Sequence, residues 1–281
     1  MTLRAPLRGR LVAGAAALAA MLAMPALAAP TVADKGAIEI GRTYALSSRA
    51  MKATRDVSVY VPAACTPAKR CPALYLIDGG EDQDFIPTVG LSKLGELVAM
   101  YPTFIVVGIA TVDRRNELAF PTRDPAQLKQ YPTSGHAATF RRFVVDEVQP
   151  WVAATFPVSD RSLVMGESLA ALFVLETALR EPAAFDDYIS ISPSMWWDGM
   201  SLATVARTGV PAMTGKHSLY LTYGDEGGEH AEGTDRFVSL LKSSAPKGLR
   251  WTFRPRTNEE HSTIYHGAAL DALRWVFTTD S

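Results

Sequence analysis

A mixed α/β fold built on a mostly parallel central sheet is what this sequence predicts, with helices on both faces and antiparallel strands at its amino-terminal edge. Three observations carry that reading. Short apolar runs at 72–78, 104–109, 162–165, 188–191 and 218–223 lack the in–out alternation of a half-solvated strand. Such runs belong to strands covered on both faces. Helical patterns fall among them, at 88–100, 137–154, 169–180 and 234–242. The two segments that do alternate, 38–47 and 55–61, come first, as antiparallel edge strands would.

Taken in chain order, residues 1–28 read as an export address. Arg4, Arg8 and Arg10 form a basic start, residues 11–24 an apolar core, and Ala26-Leu27-Ala28 a small-x-small cleavage signal. The apolar core is too short for a permanent span, and no later stretch approaches about 18 consecutive apolar residues. The expectation is a periplasmic or secreted chain starting near Ala29, with no stable membrane insertion after cleavage. The remaining 253 residues (281 − 28) suit a single domain over 29–281. Losing three arginines takes the formal charge from −1 to −4. That balance offers no basic footprint for nucleic acid, and the His and Cys spacings match no common zinc pattern. Cys65 and Cys71 are the two cysteines; in an oxidising compartment they can close a short loop. After residue 250 come a last strand, 251–254, and a last helix, 268–277.

The most informative stretch is Leu-Val-Met-Gly-Glu-Ser-Leu-Ala-Ala, residues 163–171. It sets Ser168 between a strand and a helix, the context of a nucleophile elbow, in which the serine is held in a strained φ > 0 turn. Gly166 and Ala170 lie two residues either side, where a bulky Cβ would collide with the turn.

Reactive groups of a doubly covered parallel sheet gather at the carboxyl ends of its strands. After Ile77 comes Asp78-Gly79-Gly80-Glu81. Its backbone, with the Leu169 N–H, can form an oxyanion hole; Gly80 is the first candidate and Gly79 the alternative. After Tyr223 comes Gly224-Asp225-Glu226-Gly227-Gly228-Glu229-His230, where a triad acid belongs. Glu226 is favoured over Asp225, and Glu229 is expected in solvent. The base should follow the last strand, so His261 is the candidate and His266 the runner-up. His230 is expected to line a surface. Paired Trp196 and Trp197 suit an apolar pocket wall. Arg114 and Arg115 can grip an anionic substrate or pair with Glu117, and local pairing is the simpler expectation.

These motifs together resemble the putative-esterase group of α/β hydrolases. The resemblance rests on Tyr75-Leu-Ile-Asp-Gly79, Val106-Val-Gly-Ile109 with Arg114 beyond it, and the Gly-Glu-Ser-Leu-Ala elbow. It extends to Ile191-Ser-Pro-Ser-Met-Trp-Trp197 and Glu260-His261-Ser262, in that order. The group includes the enterobactin and salmochelin trilactone esterases and, more distantly, S-formylglutathione hydrolase. The resemblance implies an α/β-hydrolase fold, hydrolysis of a small-molecule ester through Ser168 and His261, and no cofactor. Many relatives carry His before the serine and Gly two after it, where this chain has Glu167 and Ala170. A charge at Glu167 would raise the pKa of His261 if the two lie close. Two other functions fit the same motifs: an acyltransferase, and an inactive periplasmic binding protein built on the scaffold.

Overall fold

The alternating segments at the start form β1 (Arg42–Ser48) and β2 (Ala53–Tyr60), paired antiparallel. These belong to a computed structural model that describes residues 33 and 35–278. The expected leader lies outside the described residues. The chain divides into residues 1–38 and a compact unit from residue 39 onward, and the fold below is that of the second unit.

The continuous apolar runs form β3 (Cys71–Ile77) and, after helix α1 (Phe85–Val98), β4 (Ile105–Ile109). Two short helices then appear where no periodic pattern announces them, α2 (Arg114–Leu118) and α3 (Pro125–Gln130). Each is started by an aspartate whose side chain caps it, Asp113 on Asn116 N–H and Asp124 on Ala126 N–H.

The single helix expected over 137–154 is interrupted. It runs as α4 (Ala137–Arg142), a π turn (Phe143–Val148) and α5 (Gln149–Thr155). Pro150 lacks the N–H that would bond the carbonyl four residues back, and the helix widens just before it.

Next come β5 (Val158–Glu167), α6 (Leu169–Arg180), β6 (Asp187–Ile191), α7 (Ser201–Ala212), β7 (His217–Thr222), α8 (Gly228–Ser244), β8 (Leu249–Phe253) and α9 (Ile264–Phe277). The sheet order is β1-β2-β4-β3-β5-β6-β7-β8. β2 meets β4 antiparallel, and every pairing from β4 to β8 is parallel. The predicted class and edge therefore hold.

Strand alternation sorts side chains to the two faces. Leu74 and Leu76 pack in one cluster with residues of α1 and α9. Ala73, Tyr75 and Ile77 pack in the other with residues of α4 through α8. With both faces of β3 buried, the expected continuous apolar run follows.

Cys65 and Cys71 are joined as a disulfide at the start of β3. The chain-entropy model gives so short a loop about 2 kcal/mol. Replacing both cysteines by serine should lower the calorimetric melting temperature by roughly 4–8 °C. An unchanged melting temperature would show the loop to be held by its backbone alone.

Candidate active site

Ser168 stands between β5 and α6 at φ 59°, ψ −117°, a backbone region that costs an L-residue of order 1–3 kcal/mol. A Cβ on Gly166 would lie 2.7 Å from the Ala170 backbone carbon, so the strand and the helix approach too closely for any larger residue there. Two backbone bonds tie this turn to the next loop. Ser168 N–H donates to Ile191 O at 2.9 Å, and Ser194 N–H to Ser168 O at 3.0 Å.

Three strand ends bring side chains to the serine. His261 Nε2 lies 2.9 Å from Ser168 Oγ. On its other side, His261 Nδ1 lies 3.1 Å from Glu226 Oε2, close enough for an ion pair yet oblique for a hydrogen bond. Glu226, not Asp225, is the carboxylate that faces His261. Asp225 is exposed, because its N–H bonds Glu259 O at 2.7 Å and leaves the side chain in solvent. The same bond braces the two loops against each other. Arg256 completes the brace, donating to Tyr223 O through its backbone and to Glu259 through its guanidinium. His266 and Glu229 are exposed.

Glu226 is the most heavily engaged group in the site. Its Oε1 accepts from Ser192 Oγ, and its Oε2 also lies 3.1 Å from His230 Nδ1. Burial alone would raise its pKa, but His230 and His261 outweigh burial and hold it at about 2. The Glu226 carboxylate, 3.1 Å from the ring, leads in raising His261 above its ordinary value, against burial, and the Glu167 charge adds to it.

His230 is thus a member of the site that spacing did not assign. Its ring lies 5.9 Å from that of His261 and 6.2 Å from that of Trp196. The signal was its closeness to Glu226, four residues earlier across the start of α8.

A second set of carboxylates lies behind the serine. Burial raises Glu167, opposed by His261 and Arg114. Asp84 is raised to about 7, by burial first and then by Glu167 and Asp78. Asp78 bonds Arg114 and Thr111 and so stays engaged.

Three expectations are corrected. Trp197 is no pocket wall: it is fully buried and donates its indole N–H to Phe120 O at 2.8 Å, so core packing claims it. Trp196 alone lines the groove. Gly80 N–H donates to Gln83 Oε1 at 2.9 Å, and Gly80 lines a separate cavity beside β1 and β2. Its neighbour Gly79 N–H donates to Ile109 O. Leu169 opens α6, and its N–H is among the first-turn donors a helix leaves without an internal partner. Finally, Glu117 pairs with neither Arg114 nor Arg115. It takes two bonds from Arg55, at 2.9 and 2.7 Å, both side chains being buried.

The groove holding these groups has a volume of about 460 Å³, and its lining includes Arg114, Arg115, Ser168, Trp196 and His261. Two larger cavities lie elsewhere, at the amino ends of β6 and β7 and beside the disulfide. Among the described residues, no group of His, Cys, Asp and Glu is placed to hold a metal ion.

A serine at a strand-to-helix elbow, with a histidine and a carboxylate from later strand ends, defines a serine hydrolase of the α/β-hydrolase fold. The chain matches the family model described as "Putative esterase" over residues 48–267. It belongs to that family and is an ester hydrolase. It is 27% identical over 259 residues to the ferri-bacillibactin esterase BesA of Bacillus subtilis, covering 84% of this chain and 89% of that protein. Among solved structures it resembles an IroE-like serine hydrolase from Shewanella oneidensis, with TM-score 0.76 and 23% identity over 85% of this chain and 82% of that one. The BES protein from Bacillus cereus gives TM-score 0.78 at 18% identity, over 89% of this chain and 100% of that one.

The raised His261 pKa has a signed consequence. Its neutral, proton-accepting form is populated only above that pKa, so kcat/KM for a p-nitrophenyl ester should fall as pH drops through an inflection above about 6.5. Glu226→Gln should move the inflection down and lower kcat by about a hundredfold or more. An inflection that stays put would show that Glu226 does not act on His261.

Asp84 has the opposite sign from Glu226. A folded pKa above the unfolded value means the native state holds the extra proton, so stability declines as pH rises from about 4 to about 7. Thermal melts of Asp84→Asn should exceed those of the parent at pH 8 and converge with them near pH 4.

Proposed function

We propose that this chain is an exported serine esterase that cleaves siderophore-type or short acyl esters through an acyl-enzyme on Ser168. One observation carries the assignment: Ser168 Oγ stands 2.9 Å from His261 Nε2 at the strained elbow. His261 takes the hydroxyl proton as Oγ attacks the ester carbonyl, and then returns that proton to the departing alcohol. Water, deprotonated by the same imidazole, releases the acid and restores Ser168. Glu226 holds the ring and stabilises its protonated form.

The Leu169 N–H is the oxyanion donor of this reading. Gly80 N–H joins it only after Gln83 Oε1 has let it go. Trp196 and Arg114 serve as substrate-contacting groups on the groove. The siderophore class rests on the ferri-bacillibactin esterase, which matches most of this chain. Export rests on the basic–apolar–small pattern of residues 1–28; among the described residues no helix is long and apolar enough to cross a membrane.

A fluorophosphonate probe should label the native chain at Ser168, and Ser168→Ala should lose p-nitrophenyl butyrate hydrolysis by on the order of 10³-fold or more. His261→Ala should lose a similar factor, because members of such a unit are not additive. Exposed His266 should tolerate alanine. Undiminished hydrolysis by Ser168→Ala would overturn the assignment.

A further inference from the structure

Arg115 is a guanidinium without an acid. The carboxylates around it are taken: Asp113 caps α2 on Asn116 N–H, Glu117 pairs with Arg55, and Asp78 with Arg114. Among the described residues no hydrogen bond or ion pair reaches the Arg115 guanidinium, and its Nε is buried without a partner. Instead the group is held by aromatic rings. Its Cζ lies 4.6 Å from the Tyr131 ring centroid and 5.9 Å from that of Trp196.

Buried polar groups are nearly always bonded, and one that is not calls for a reason. Local packing does not supply it, since Lys or Met would fill the same space without an orphaned N–H. A ring against a guanidinium fixes its plane and leaves the edge donors free. That edge suits a planar anion with two oxygens, which a guanidinium grips bidentately.

The place of Arg115 says which anion. It lines the same groove as Ser168 and His261. The acids on that lining leave it alone: Glu226 is engaged by two histidines, while Asp225 and Glu260 are exposed. We propose that Arg115, clamped between Tyr131 and Trp196, is a specificity residue that binds a carboxylate borne on the ester substrate itself. This rests on the esterase reading of Ser168. It makes the preferred substrate an acid-bearing ester, bound with its charged arm toward α2 and its scissile carbonyl at the elbow.

Mono-p-nitrophenyl adipate and p-nitrophenyl hexanoate share one chain length and differ by the terminal carboxylate. The ratio of their kcat/KM values isolates recognition of the charge from everything common to both. In the native chain the ratio should favour the adipate ester and shrink as salt is added. Arg115→Gln should cut the ratio about tenfold. Arg115→Lys, which keeps the charge but not the planar fork, should fall between. A purely structural Arg115 would lower both esters together, so an unchanged ratio in both variants overturns the proposal. If the native chain cleaves neither ester, the esterase reading fails, and binding decides Arg115 alone. Tryptophan fluorescence should then show benzoate binding Ser168→Ala about tenfold more tightly than it binds the Ser168→Ala, Arg115→Gln chain. Equal affinities overturn the proposal.

Discussion

The close crossing of β5 and α6 at Ser168 is the constraint on which the site depends. Ser168 adopts φ 59° because its flanks pack too tightly for a relaxed turn, with Gly166 against Ala170. Such strain persists only where the surroundings over-determine it. Here they do: residues 163–165 and nearly all of α6 are buried. The two backbone bonds to Ile191 and Ser194 then carry the turn's position into the loop after β6. That loop places Ser192 on Glu226 and Trp196 in the groove, so one local conformation orders three loops.

Charge is organised around that crossing in two layers of opposite character. In front of the serine, Glu226 is surrounded by Ser192, His230 and His261 and stays ionised. Behind it, burial pushes Asp84 and Glu167 toward their neutral forms, and the Glu167 charge pushes Asp84 further. Similar carboxyl groups thus take different states a short distance apart, because environment, not residue type, sets the charge. Sharing one carboxylate between two histidines also ties α8, which carries His230, to the loop that carries His261.

The supporting ion pairs are as telling as those in the groove. Arg55 with Glu117, and Arg141 with Glu176, are buried pairs between elements far apart in the chain. Breaking such a pair leaves a stranded charge and costs about 3–5 kcal/mol, whatever the intact pair contributes. The first pins α2 to β2, the strand next to the sheet's edge, and so sets where Arg114 and Arg115 meet the groove. The second sits under α6, the helix that begins at the elbow.

Much of this was legible in the chain. Apolar runs marked the doubly covered strands because burial on both faces removes alternation, and the two alternating segments became the antiparallel edge. The elbow was legible because its causes are local: a small residue two positions either side of a serine, between a strand and a helix. His261 could be placed by chain order alone. Other roles turn on where side chains point and what lies opposite, which no spacing encodes. Trp196 and Trp197 are adjacent, yet one lines the groove and the other sits in the core. Asp225 and Glu226 were near equivalents until a backbone bond to Glu259 turned one outward. Gly80 was a free donor until Gln83 reached it. Glu117 found its partner in Arg55, 62 residues earlier, and left Arg115 unpaired at the groove. Sequence determined which chemistry is present and on which elements; long-range packing, through partners distant in the chain, decided which of those groups face one another.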